Sequence, residues 1–293
     1  MRAWTQRTLV FGIVSGAPEA PRLLQAVCDA LARTTGWIVI PQVVHSYGAI
    51  LEQFARNHVH VAWAPPLVAL ELERGRTARV ALCSTRSGRT VYHCALFVRR
   101  ASPIRTLEHL TGRHVAWVDV ESCAGYVVPR LRILAEGLDP STLFGRESFH
   151  HTHQAVAQAV LSGAADVGAT YLSADPRSWH AASAGWFEAG AAPDAVRVLA
   201  TAGPIPSDAI VVSTKLPSEI LEALPAALQR LARTVPEDLR HLLRADGLQA
   251  PPAGHFDELR RLMREASTRS GSRPAIDVDA AEVARRSRDF GTR

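Results

Sequence analysis

The residues best suited to chemistry in this chain are the run Ser122-Cys123-Ala124-Gly125 and the histidines at 150, 151 and 153. The run stands at the head of an apolar-periodic stretch, Gly125 to Glu136, which reads as a helix closed by Gly137. Backbone N–H groups and a hydroxyl at a helix start converge on an anion, and the helix dipole favours negative charge there. The same place suits a second chemistry, because a cysteine at a helix N-terminus has a depressed pKa and His153 is a candidate base for a Cys123 nucleophile. The histidine cluster invites a metal, but its spacing matches no common structural zinc pattern and no Cys or acid cluster accompanies it. No metal is expected.

The elements that must position these residues are short apolar runs alternating with amphipathic helical segments, the mark of α/β architecture with mostly parallel sheets. Leu9 to Val14 reads as a strand, Ala20 to Thr34 as a helix stopped by Gly36, and Trp37 to Val44 as a second strand. Ser46 is placed to cap a helix over Tyr47 to Arg56, and Val59 to Trp63 forms a third strand ending at Pro65. After a helix over Leu67 to Arg74, strands Ala78 to Ser84 and Tyr92 to Arg99 flank the turn Arg86-Ser-Gly-Arg. A similar unit follows: a strand His114 to Val118, the helix after Ser122, a strand Ser148 to His150, a helix Gln154 to Ser162 capped by Thr152, and a strand Ala165 to Thr170. Arg197 to Ala200 and Ala209 to Ser213 carry strand character, and the remainder is helical over Leu216 to Thr234, Pro236 to Ala245 and His255 to Ser267, with a polar tail from Arg273.

The 293 residues are 47% hydrophobic and 21% charged, which suits a globular protein with a substantial core. The net charge of +5 comes from arginine, since Lys215 is the only lysine, and it is spread among acids with no basic stripe or interleaved aromatics. Nucleic-acid binding is not expected. No apolar run approaches the roughly 20 residues needed to span a bilayer. Leu9 to Val14 is too short for a signal-peptide core, so the chain as written is cytoplasmic, or periplasmic with a leader removed. Cys28, Cys83, Cys94 and Cys123 show no CxxC spacing and read as buried thiols.

The order of these signals, with the residues at the loop tips, resembles the phosphate, phosphite and phosphonate solute-binding family of ABC importers. The matching stretches are Leu9 to Val14, His45 to Ile50, His58 to Pro65, Ser102 to Arg113, Glu121 to Pro129, His151 to Val156, Gly163 to Ala169 and Gly203 to Asp208. The resemblance implies a two-lobed type II periplasmic-binding fold, with residues 1–96 plus 200–293 as one lobe and 97–199 as the other. It further implies crossings near Tyr92 to Phe97 and Leu199 to Gly203, and a ligand held in the interlobe cleft by hinge closure. Its ligand set maps onto Tyr47, Tyr92, Ser122, Cys123, Ala124, Gly125, His153 and Asp208, with Trp63 as a cleft wall or a core residue. Asp166 falls at a loop-orienting position, and His60 stands where the family commonly has aspartate.

Where the family loop resembles Ser-Thr-Ser-Gly, only Ser122 keeps a hydroxyl here. Each unmet buried polar group costs about 1–3 kcal/mol, so the residues allow a phosphonate held mainly by backbone amides, a carboxylate, or a less charged compound. The resemblance implies a monomeric, non-enzymatic binding component with a small anion and an ABC permease as partners and no cofactor. Two rival readings share the fold: a cytoplasmic ligand sensor, and an enzyme using Cys123 and His153 or lyase chemistry like that of cytoplasmic menaquinone-pathway enzymes. No G-x-S-x-G, P-loop or dinucleotide fingerprint is present.

Overall fold

The computed structural model describes residues 8–15, 18–44, 46–120, 122–174, 181–234, 236–243 and 245–270. In chain order the first elements are β1 (Thr8–Val14), α1 (Ala20–Thr35), β2 (Ile38–Val44), α2 (Tyr47–Ala55), β3 (Val61–Ala64), α3 (Pro66–Arg74), β4 (Ala78–Thr85) and β5 (Val91–Arg99). There follow β6 (His114–Trp117), a π turn (Cys123–Val127), α4 (Val128–Ala135), β7 (Arg146–Phe149), α5 (His153–Ser162), β8 (Val167–Ala174), β9 (Ala181–Ala184) and α6 (Gly185–Glu188). The chain ends through β10 (Val196–Pro206), β11 (Ala209–Ser213), α7 (Ser218–Thr234), α8 (Pro236–Leu243), β12 (Gly247–Gln249) and α9 (Asp257–Ser270). The polar tail expected from Arg273 lies outside the described residues.

Two compact units result, Met1–Val91 with Pro206–Phe256 and Tyr92–Ile205 with Asp257–Arg293. The first contains a six-stranded sheet of order β12-β4-β11-β3-β1-β2. β1 runs parallel to β2 and β3, and β11 is antiparallel to β3 and β4. Its core forms because Leu23, Leu24, Val27 and Leu31 of α1 recur at helical spacing, as do Ile220, Leu224, Leu228 and Leu231 of α7. Both stripes bury against Leu9, Phe11 and Ile13 of β1 and Ile210 and Val212 of β11. Gly36 ends α1 in the left-handed conformation at φ 72°, its N–H donating to the carbonyl of Ala32.

His60 is tied to Val10 by two hydrogen bonds. The Val10 N–H donates to His60 Nδ1 at 3.0 Å, and the His60 N–H donates to the Val10 carbonyl at 3.0 Å. A neutral imidazole therefore ties the approach to β3 onto β1, and burial, then the neighbouring His58, lowers its pKa.

The second unit holds the sheet order β10-β5-β8-β6-β7, with β9 paired to β8. β6 runs parallel to β7 and β8, whereas β5 is antiparallel to β8. Alternate residues serve opposite cores: Ala95, Phe97, Ala116 and Val118 pack with Val156, Val160 and Trp186. Leu96, Val98, Val115 and Trp117 pack instead with Ile133 and Leu143. Both faces are covered, as the side-chain period of two demands of a buried sheet.

The unit boundaries differ from the sequence expectation of 96/97 and 199/200. Those points fall inside β5 and β10, which are neighbours in the second sheet, so ladder hydrogen bonds keep both strands in one unit. β10 is an edge strand and so accommodates Pro204 and Pro206, which lack an N–H to donate. The C-terminal stretch also moves: α9 packs against α4 and belongs with the second unit, because its apolar stripe, Leu259 and Leu262, is buried there. All four cysteines are buried thiols outside any disulfide, and burial pushes the Cys28, Cys83 and Cys94 thiols up to about 12, 11 and 12. Among the described residues no helix is long and apolar enough to cross a membrane.

The lowered His60 pKa sets the sign of a pH effect. The unfolded chain takes up the proton first, so the His60 contribution is complete above the ordinary imidazole value of about 6.5 and is lost as pH falls from there through the folded pKa. His93, His114, His150 and His255 are lowered by burial as well and add in the same direction. Melting temperature is expected to fall between about pH 7 and pH 5, and His60→Asn, which keeps an acceptor but cannot titrate, is expected to flatten part of that slope. An unaltered slope in His60→Asn would remove His60 from the account.

Candidate anion site in the second unit

At the C-terminal end of β6 the Val118 peptide makes two hydrogen bonds that join distant pieces of chain. Its N–H donates to the Gly125 carbonyl at 3.2 Å, and its carbonyl accepts the His151 N–H at 2.8 Å. The Ser122 loop and the loop leading to His153 are thereby brought to one strand end, where parallel strands meet helix N-termini.

Pro129 explains the form of the Ser122 loop. A continuous α-helix would need the residue 129 N–H for the Gly125 carbonyl, and proline has none. Val118 supplies that donor instead, and the chain widens into a π turn, with the Val127 N–H reaching the Ser122 carbonyl at 2.9 Å and the Val128 N–H the Cys123 carbonyl. Ser122 caps the turn, its Oγ accepting the Gly125 N–H at 3.0 Å. Accepting leaves the hydroxyl proton for another acceptor. The Ala124 N–H meets no acceptor among the described residues, although Ala124 is only 2% exposed. A hydroxyl and an amide thus stand at the positive end of a helical run from Cys123 to Ala135.

Gly125 is obligatory in this geometry. A Cβ there would lie 2.4 Å from Val118 Cγ2, 2.5 Å from Val118 Cβ and 2.8 Å from Ser122 Oγ.

His153 begins α5, whose cap Thr152 accepts the Ala155 N–H at 3.1 Å, as the sequence suggested. The turn before it places His151 at φ 63°, a left-handed conformation uncommon for a side-chain-bearing residue. His153 Nδ1 lies 3.0 Å from Thr170 Oγ1, and its ring stands edge-on to Tyr171 at 5.0 Å. The three histidines face separate partners. His150 Nε2 is 3.0 Å from Ser148 Oγ, which is also 2.8 Å from His114 Nε2, and His151 Nδ1 is 3.7 Å from Asp119. No group of three or more metal-binding side chains occurs among the described residues.

Of the candidates named from sequence, Ser122, Cys123, Ala124, Gly125 and His153 are tied to the same strand end. Tyr92 lies in β5 of the same unit, half-buried. Tyr47, the first residue of α2, and Asp208 belong to the first unit. Asp208 is engaged by Arg86, Nη2 to Oδ2, and its carbonyl accepts the Ser84 N–H at 2.8 Å, so its charge serves the Arg86 turn. Trp63 packs on the first unit's core. Asp166 orients β6, accepting the His114 N–H at 3.0 Å. Cys123 is 6% exposed, unsuited to attack on a solute. Sequence reading missed Thr170, whose place in Val167-Gly-Ala-Thr-Tyr looks like any strand residue, and the Arg130–Glu147 pair at 2.8 Å with Trp117 Nε1 on the same carboxylate.

Gly125→Ala is expected to cost about 1–3 kcal/mol through overpacking, read as a lower denaturation midpoint at unchanged m-value. Adding Val118→Ala removes the methyl at 2.4 Å and is expected to recover part of the loss. Full stability in Gly125→Ala would contradict the close approach.

The sequence matches, over residues 11–255, the model of a family described as "ABC transporter, phosphonate, periplasmic substrate-binding protein". No curated protein matches it. Among solved structures it is similar to XAC2383 from Xanthomonas citri bound to ATP, with TM-score 0.72 and 20% identity over 91% of this chain and 99% of that one. A binding protein component of an ABC phosphonate transporter from Pseudomonas aeruginosa gives TM-score 0.67 and 19% identity over 97% and 94%. PhnD1 from Prochlorococcus marinus in complex with methylphosphonate gives 0.64 and 14% over 88% and 98%. These likenesses establish the type II periplasmic-binding fold, and the family is one of substrate-binding components, not of enzymes. By the match over residues 11–255, the chain belongs to the phosphonate-binding family of ABC-transporter periplasmic substrate-binding proteins.

Proposed function

We propose that this solute-binding protein captures a small oxyanion of the phosphonate, phosphate or phosphite type at the Ser122 loop and His153, and presents it to an ABC permease in the periplasm. The observation that carries the reading is the Ala124 amide, which meets no acceptor among the described residues, beside the Ser122 hydroxyl at a helix start, on the same strand end as the His153 loop. Donors of this kind serve anions, because the amide dipoles and the helix field both favour negative charge. The family match supports the ligand class, and so does the methylphosphonate in the Prochlorococcus relative. The contribution of Tyr47 and Tyr92 to the same ligand rests on the family resemblance.

With Cys123 and Ala124 in place of hydroxyl residues, the backbone carries more of the recognition of a phosphorus oxyanion. A thermal-shift series with methylphosphonate, phosphate, phosphite, a sulfonate and acetate tests this, since a ligand at about 100 times its Kd stabilises by about 2.7 kcal/mol. The phosphorus oxyanions are expected to raise the melting temperature most. Ser122→Ala and His153→Ala are each expected to weaken the best of them by roughly tenfold, the worth of one charge-assisted hydrogen bond. No shift with any phosphorus oxyanion, or unchanged affinity in both variants, overturns the reading.

A further inference from the structure

We propose that Thr170 is a positioning residue that holds neutral His153 with its proton on Nε2, so that the imidazole meets the ligand as an N–H donor; the ligand part of this rests on the oxyanion reading above. Thr170 lies in β8 and is 0% exposed. Its Oγ1 is 3.0 Å from His153 Nδ1 and makes no other hydrogen bond among the described residues.

A hydroxyl carries one proton, and a buried one left without an acceptor costs about 1–3 kcal/mol. Were Nδ1 protonated, Thr170 would have to accept from it and its own proton would have no acceptor among the described residues. Donation from Thr170 to the Nδ1 lone pair satisfies both atoms, and in a neutral ring the remaining proton is then on Nε2. The surroundings keep the pair in register. Tyr171 stands edge-on to the imidazole, with ring centroids 5.0 Å apart and planes at 88°, and its own hydroxyl donates to Glu188 Oε1 at 2.7 Å. Gly185 backs onto the pair so closely that a Cβ there would lie 2.3 Å from Thr170 Oγ1 and 3.0 Å from His153 Cβ.

The consequence is selectivity by proton content. An Nε2–H donor matches an unprotonated oxyanion oxygen without requiring the ring to be charged, whereas a hydroxyl proton aimed at it sets donor against donor.

Long-range 1H–15N correlation on ligand-free, histidine-labelled protein at about pH 8.5, some two units above the ordinary imidazole pKa, reads the tautomer directly, with His153→Gln assigning the signal. The Nε2–H pattern is expected in the wild type, a shift toward a mixture in Thr170→Val, and recovery in Thr170→Ser, which keeps the hydroxyl. Methylphosphonate affinity is expected to fall about fivefold to tenfold in Thr170→Val and to stay within about twofold in Thr170→Ser, as for one hydrogen bond disordered and restored. An Nδ1–H wild type, or a tautomer indifferent to Thr170→Val, overturns the inference. So does unchanged affinity in Thr170→Val where His153→Ala loses it. Failure of every oxyanion to bind overturns the oxyanion reading instead, and the ligand-free spectra still decide the tautomer.

Discussion

The second unit depends on one peptide. Val118 N–H and C=O hold the Gly125 carbonyl and the His151 N–H, so two loops more than 20 residues apart in sequence share a single strand end. Because the bonds are backbone to backbone, they survive changes of side chain at 118, provided that nothing larger than hydrogen stands at 125. The requirement for Gly125, the π turn and the placement of Ser122 all follow from that contact and from the missing N–H of Pro129.

The same bookkeeping of donors explains what the loop offers. Ser122 spends its oxygen on the cap and its carbonyl on the Tyr126 and Val127 amides, leaving one hydroxyl proton. Cys123 and Ala124 turn inward at 6% and 2% exposure, so on the proposed reading the backbone N–H takes over what hydroxyl side chains do in the wider family. In the first unit a ring nitrogen of His60 supplies the acceptor for Val10.

Much of this was legible in the chain. Ser46 and Thr152 announced their helices because a cap is a local matter: the side chain reaches an amide three residues on, and both do. Gly36 likewise marked a helix end. The order of loop-tip residues led to the right family and fold. Asp208 was the weaker reading, since nothing local says that Arg86, 122 residues away, ion-pairs with it. The unit boundaries were displaced for a similar reason, the pairing of β5 with β10 being a contact between segments remote in sequence.

By itself, then, the sequence determined most of the element order, the caps at Ser46 and Thr152, the buried thiols and the family, because periodicity, caps and loop-tip residues act over a few positions; the short β9, α6 and β12 carry no such local mark. Tertiary structure alone decided which groups share a hydrogen bond: Val118 with Gly125 and His151, His60 with Val10, Thr170 with His153. Such partners are chosen by sheet register and packing, which bring together residues whose types carry no mark of one another.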